Sequence, residues 1–368
     1  MKKIFYCLIG LLCNCYVHAS DNIVLITIDG LRWQEVFHGL DMTLAKNEKF
    51  AERSDDIIEQ FSGTNSAKKL LPFFHETLAR QGVLYGNKSA EQCMKLSNPW
   101  YFSYPGYNEI LTGKADPKID TNGKIENPNV SYLEWLNSKK NFRNKVYAFA
   151  SWDVFPFILN EKRSRLPVNA GFRTANFPRL SDMEKTLNTL QPEVPSPWKT
   201  VRLDAFTHHY AVETLKKRKP RALYISYGET DDFAHDGHYD QYIFAAHRTD
   251  QFIADIWNTL QSMRQYRDNT TLIITTDHGR GSTPEDWQHH ASKEAMKGYM
   301  KSLAKFKEGI VGSDDVWFAA IGPDVKRGTF KSSVCLSSNQ IAATAVKAVG
   351  FNWGEVNSGA GVPMNIFE

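Results

Sequence analysis

Runs of β-branched and other apolar residues recur at 22–28, 145–150, 222–227, 270–275 and 316–321. Each is short, continuous and bounded by polar or turn-forming residues. A strand that is apolar on both alternating faces belongs in a sheet covered on two sides, the usual state of a parallel sheet. Between these runs, 201–218, 239–263 and 339–349 repeat their apolar positions at helical spacing. Strands alternating with helices predict an α/β fold, a largely parallel central sheet with helices on both faces. The stretch at about 114–198 breaks this rhythm, being rich in Pro, Asn and Asp around short periodic pieces. It reads as a cap insertion within one domain over 20–368. No internal repeat and no Gly/Ser-rich or Pro-rich linker divides the chain.

The first residues follow another pattern. Lys2 and Lys3 precede an apolar run from Ile4 to Val17, interrupted by Asn14, and Val17-His18-Ala19 supplies the residue sizes of a cleavage site. That is the layout of a secretory signal peptide over 1–19, and the run falls short of the ~20 residues a membrane span needs. The mature chain is therefore expected to be exported, periplasmic or secreted, with no transmembrane segment. Of the 5 cysteines, Cys7, Cys13 and Cys15 leave with the leader. Cys93 and Cys335 remain, either paired in an oxidising compartment or buried as two thiols.

Composition narrows the function only by exclusion. With 44 Lys+Arg against 41 Asp+Glu, the net charge is +3 over 368 residues. That is too small for the electrostatic footprint of a nucleic-acid-binding surface. Aromatics at 12%, spread along the chain, exclude disorder as its main character.

Open parallel sheets present their chemistry at the carboxyl ends of their strands. Three such ends carry carboxylates or histidines. The run 22–28 leads into Asp29-Gly30, 222–227 into Gly228-Glu229-Thr230-Asp231-Asp232-Phe233-Ala234-His235, and 270–275 into Thr276-Asp277-His278-Gly279. A fourth patch follows in Asp286-Trp287-Gln288-His289-His290. Taken singly, Asp-Gly is an ordinary turn and Asp231 an ordinary helix start. Three strand ends offering oxygen and nitrogen donors together, with no CxxC pair, point to a zinc-type site. Ser103, in Phe102-Ser103-Tyr104-Pro105-Gly106, sits where a loop enters a short helix. Backbone N–H groups and the helix dipole there would face an incoming anion.

In their order along the chain, Ile26-Thr27-Ile28-Asp29-Gly30, Ser103-Tyr104-Pro105 through Leu111-Thr112-Gly113, Asp231 to His235 and Thr276-Asp277-His278-Gly279 resemble the alkaline phosphatase superfamily. Within it they resemble the nucleotide pyrophosphatase/phosphodiesterase-like branch. The resemblance implies an alkaline phosphatase-like fold and two Zn2+ ions. Asp29, Asp277 and His278 would hold one, with Ser103 as exchangeable fourth ligand and nucleophile. Asp231, His235 and a C-terminal histidine would hold the other. His290 is preferred to His289 because related sequences place this ligand before a small residue, here Ala291. Many members carry an Asn three residues after the nucleophile, where this chain has Gly106; Asn108 is the candidate substitute for substrate binding, unless backbone N–H groups suffice.

The implied activity is a secreted zinc-dependent hydrolase that cleaves a small-molecule phosphate ester through a phosphoseryl intermediate. A phosphodiesterase is favoured over a phosphomonoesterase. No Lys or Arg lies between Asn98 and Thr112, while Tyr101, Phe102, Tyr104 and Tyr107 offer aromatic surface for a second ester group. The alternative packs those rings away and brings Lys162 or Arg163 over the phosphate. A sulfatase would need Cys or Ser followed by x-Pro-x-Arg, and Tyr107 stands where that Arg is required. A zinc-binding scaffold without catalysis is disfavoured by the presence of the hydroxyl nucleophile.

Overall fold

The computed structural model describes residues 19–328 and 330–368. The leader expected over 1–19 lies, apart from Ala19, outside the described residues. The strands are β1 (Asn22–Ile28), β2 (Val83–Tyr85), β3 (Met94–Lys95), β4 (Val146–Ala150), β5 (Val168–Ala170), β6 (Ala222–Tyr227), β7 (Thr270–Thr275), β8 (Phe318–Ile321) and β9 (Leu336–Ser337). Seven of them form one sheet in the order β2-β8-β7-β1-β6-β4-β5. The core of the sheet is parallel, with β1 between β6 and β7, and β4 and β5 continuing beyond β6. Only β8 runs against its neighbours.

Every residue of β1, β6 and β7 is buried. Their side chains alternate between two apolar layers, Ile23, Leu25 and Tyr224 on one face, Val24, Ile26 and Ile225 on the other. This is why the strands read as unbroken apolar runs. Helices cover both layers, among them Asp204–Arg218, Tyr239–Ser262 and Ile341–Ala348. No helix among the described residues is long and apolar enough to cross a membrane.

The stretch 114–198 takes part in the sheet itself. It supplies β4 and β5, two of the seven strands, before turning into the helix Asp182–Glu193. Its polar loops lie between these elements. β4 is the run read at 145–150, while β5, with only three residues, shows no period in sequence.

β3 and β9 pair in parallel as a separate two-stranded sheet, and Cys93 is joined to Cys335 by a disulfide spanning 242 residues. Closing so long a loop restricts the unfolded chain. Replacing both cysteines by serine is expected to lower the unfolding free energy by about 2–4 kcal/mol, read as a fall in the denaturant midpoint. An unchanged midpoint would refute it.

Candidate active site

Three strand ends converge. β1 runs out into Asp29, β7 into Asp277 and His278, and β6 through Gly228 into the helix Glu229–Asp236. On that helix Asp231 and His235 are four residues apart and share a face. Two clusters of donors result, Asp29 with Asp277 and His278, and Asp231 with His235 and His290; within each, the ligand atoms lie within 4.8 Å of one another. The clusters abut, the His278 and His290 rings stacking with centroids 3.7 Å apart. The Ser103 hydroxyl is 3.4 Å from His278 Nε2. His289 turns away, its ring packing edge-on against Phe306 at 5.8 Å.

The orientation of these groups tells what they are arranged for. Tyr107 donates its hydroxyl to Asp29 Oδ2 at 2.8 Å, and Gly30 N–H donates to Asp277 Oδ1 at 3.1 Å. Asp29 Oδ1 and Asp277 Oδ2 are left buried without a hydrogen-bond partner. They lie 3.3 and 3.4 Å from His278 Nε2. His278 Nδ1 sits 2.9 Å from the Gly279 carbonyl and His290 Nδ1 3.2 Å from the Tyr101 carbonyl. A carbonyl only accepts, so each Nδ1 carries a proton, and in the neutral ring each Nε2 is a bare lone pair. That of His278 faces the orphaned carboxylate oxygens; that of His290 faces His235 Nε2, 3.0 Å away. Donors aimed at one another in this way repel unless a cation lies between them, and ring N–H groups anchored on carbonyls are the usual support for metal-bound histidine. Carboxylates and imidazoles without thiolate suit zinc.

The electrostatics agree. Burial and then the Asp231 charge raise Asp29 above its ordinary range, and burial and then Asp29 raise Asp277 well above it. Burial alone would depress His278, but Asp277, Asp29 and Asp231 outweigh it and push it up to about 9. Asp231 goes the other way. Burial raises it, yet His235 and Arg280 outweigh that and hold it well below the carboxylate range. Without a cation the first cluster must take up protons.

Ser103 is the first residue of the helix Ser103–Thr112, all ten residues of which are buried. Gly106 lets this helix lie on the end of β7, since a Cβ there would be 2.2 Å from the Asp277 carbonyl. An Asn three residues after the nucleophile therefore has no room. Asn108 does not replace it. On a helix it points about 140° away from Ser103, and its amide is spent on the Lys114 carbonyl, Asn127 and Asn129. The residue that does reach the helix start is Asn122, whose Oδ1 accepts from Tyr104 N–H at 2.9 Å. Nothing in the polar loop around Asn122 marks it in sequence.

The aromatic surface expected near the nucleophile is absent. Phe102, Tyr104 and Tyr107 are fully buried, and the Tyr104 hydroxyl donates to the Ile125 carbonyl. Only Tyr101 is partly exposed, held at φ +58° with its carbonyl on His290. A left-handed non-glycine residue costs about 1–2 kcal/mol, offset here by the support it gives a ligand. Nor do the alternative cations reach over the site. Lys162 pairs with Glu126, and Arg163 with Glu134 and the carbonyls of Asn127 to Asn129.

Residues 76–326 match the family profile described as type I phosphodiesterase/nucleotide pyrophosphatase. The chain belongs to that family. Membership makes it a hydrolase of phosphate esters, and the matched span includes every residue of the two clusters except Asp29, which the fold supplies. The wild-type alkaline phosphatase PafA superposes with a TM-score of 0.59 over 96% of this chain and 100% of its own, at 11% identity. The phosphonate monoester hydrolase SpPMH from Silicibacter pomeroyi gives 0.52 over 93% and 75%, at 15% identity. A protein of the alkaline phosphatase superfamily from Vibrio parahaemolyticus gives 0.52 over 92% and 68%, at 12% identity. At these identities the likeness is one of fold. No curated protein matches the chain by sequence.

Proposed function

We propose that this family member is an exported, zinc-dependent phosphodiesterase working through a phosphoseryl intermediate. The observation that carries the reading is the convergence of two three-residue donor clusters, each with its ligand atoms within 4.8 Å of one another, with the Nδ1 atoms of His278 and His290 set against backbone carbonyls. Asp29, Asp277 and His278 would hold one Zn2+, and Asp231, His235 and His290 the other. When bound, two such ions supply the Lewis-acid charge that stabilises a serine alkoxide and a leaving oxygen. Ser103, at the helix start, would attack phosphorus as the P–O bond to one ester group breaks and that group leaves, and water would later break the Ser103 Oγ–P bond, returning a proton to the serine and releasing the monoester. Asn122, held on Tyr104 N–H next to the nucleophile, is the candidate contact for a non-bridging phosphoryl oxygen. Gly106 keeps the helix close enough for its dipole to act on that oxygen.

Charge supports a diester. Three carboxylates and one alkoxide match two divalent cations, and a monoester would bring one more negative charge than a diester. With Lys162 and Arg163 engaged elsewhere, neither answers that charge. The Cys93–Cys335 disulfide supports an oxidising compartment and hence export. On one zinc-loaded preparation, kcat/KM is expected to be higher for bis-p-nitrophenyl phosphate than for p-nitrophenyl phosphate. The reverse order by tenfold, about 1.4 kcal/mol in transition-state stabilisation, would make the protein a phosphomonoesterase.

A further inference from the structure

Three arginines are among the largest fully buried side chains, Arg32, Arg202 and Arg280. Arg32 is matched by Glu35, and Arg202 gives its donors to Thr207, Asn169 and neighbouring acceptors in the core. Arg280 reaches instead into the candidate site. Its Nη1 contacts Asp231 Oδ1, its Nε donates to the Trp287 carbonyl at 3.2 Å and its Nη2 to the Gln288 carbonyl at 2.6 Å.

These acceptors belong to two segments that both supply donors to the second cluster. One is the helix bearing Asp231 and His235. The other is the loop that ends in His290, closed by Gly281 N–H on the His289 carbonyl at 3.1 Å. Trp287 anchors this loop against Phe50, Tyr239 and Tyr242. Gly30 makes room for the contact, because a Cβ there would lie 2.7 Å from Asp231 Oδ1 and 2.8 Å from Arg280 Nη1.

We propose that Arg280 is a positioning residue that locks Asp231 to the His290 loop and so sets the geometry of the second metal group, acting as a three-way fork and not merely as a charge. The inference rests on the metal-site reading above and adds a residue that touches neither substrate nor ion. A guanidinium directs its donors rigidly in one plane, which fits three acceptors from two segments. Asp231 keeps Oδ2, 3.3 Å from His235 Nε2, available to the cluster. A lysine restores the charge but, as a single point on a flexible stem, cannot hold both loop carbonyls and the carboxylate in plane. Outer partners of metal ligands typically change metal affinity by about 10–100-fold.

The test uses the full chain stripped of metal, with zinc titrated against a chromophoric chelator for wild type, Arg280→Lys and Arg280→Gln. A His235→Ala chain, whose second cluster is already broken, identifies the ion held by Asp29, Asp277 and His278. The wild type is expected to take two ions. Both Arg280 variants keep the first with unchanged affinity and bind the second about tenfold or more weakly, lysine faring little better than glutamine. Their metal-free melting temperatures stay close to that of wild type. Recovery of affinity by lysine would reduce Arg280 to a charge and overturn the proposal. So would two unchanged affinities, two that fall together, or loss of the metal-free fold in both variants, which would make Arg280 a core strut. A wild-type chain that takes up no zinc sinks the metal-site reading itself, a result distinct from all of these.

Discussion

Ser103→Ala is expected to lower kcat on bis-p-nitrophenyl phosphate by about 10³-fold or more, with zinc content and melting temperature unchanged. The size of the loss follows from the dependence of covalent catalysis on that one oxygen, the neighbouring Tyr104 hydroxyl being spent on the Ile125 carbonyl. The harmlessness to the fold follows from its contacts, since the hydroxyl meets only His278 Nε2, at 3.4 Å. Neighbouring anchors are untouched: Tyr104 N–H stays on Asn122 and Tyr107 stays on Asp29. Ser103→Thr keeps a hydroxyl in place and retains part of the rate. An alanine variant that turns over normally would remove Ser103 from the mechanism.

Chelation is expected to abolish turnover altogether, and zinc to restore it better than magnesium or calcium, which prefer all-oxygen ligands. Three imidazoles in two clusters give zinc that advantage. The pH dependence has a definite sign. Without zinc, Asp29 and Asp277 are raised by burial and by their neighbours, and His278 is pushed up to about 9. Zinc needs these groups deprotonated, so its binding releases protons and its apparent affinity rises with pH through the neutral range. Calorimetry in buffers of different ionisation enthalpy reads the proton release directly. Full activity in excess chelator, or a site loaded by magnesium alone, would contradict the assignment.

The parts of this structure visible in sequence are those under the strongest local rules. β1, β6 and β7 are buried on both faces, so their apolar runs stand out, and the chemistry at a parallel sheet's strand ends follows directly after them. Asp29, Asp231, His235, Asp277 and His278 were legible for that reason. The helix Ser103–Thr112 was harder to read because it is buried all round and has no solvent face to betray its orientation. Asn108 and the tyrosines beside it therefore looked available when packing had claimed them. Gly106 looked like a missing asparagine, whereas the approach of the Asp277 carbonyl leaves no space for any side chain. Asn122 and Arg280 act through contacts with segments remote in sequence, Asn122 through the nucleophile helix and Arg280 through Asp231, and no local pattern marks such partners.

The position of β1 in the sheet also sets an order of events during folding. Its register runs against Ala222 to Tyr227 on one side and Thr270 to Thr275 on the other, both more than half the chain downstream. As the polypeptide is synthesised, this strand precedes the others of the sheet and must wait for about 200 residues before its first neighbour is made. Until β6 and β7 exist, its backbone donors and acceptors and its apolar side chains have no native partner, the condition under which nascent chains aggregate or engage holdase chaperones. Pairing of such high contact order is slow. When β1 finally docks between β6 and β7, Asp29 arrives beside Asp277 and Asp231 in the same step. The docking of β1 and the assembly of the first ligand cluster are thus one event, and a chain arrested before β7 carries only scattered ligands.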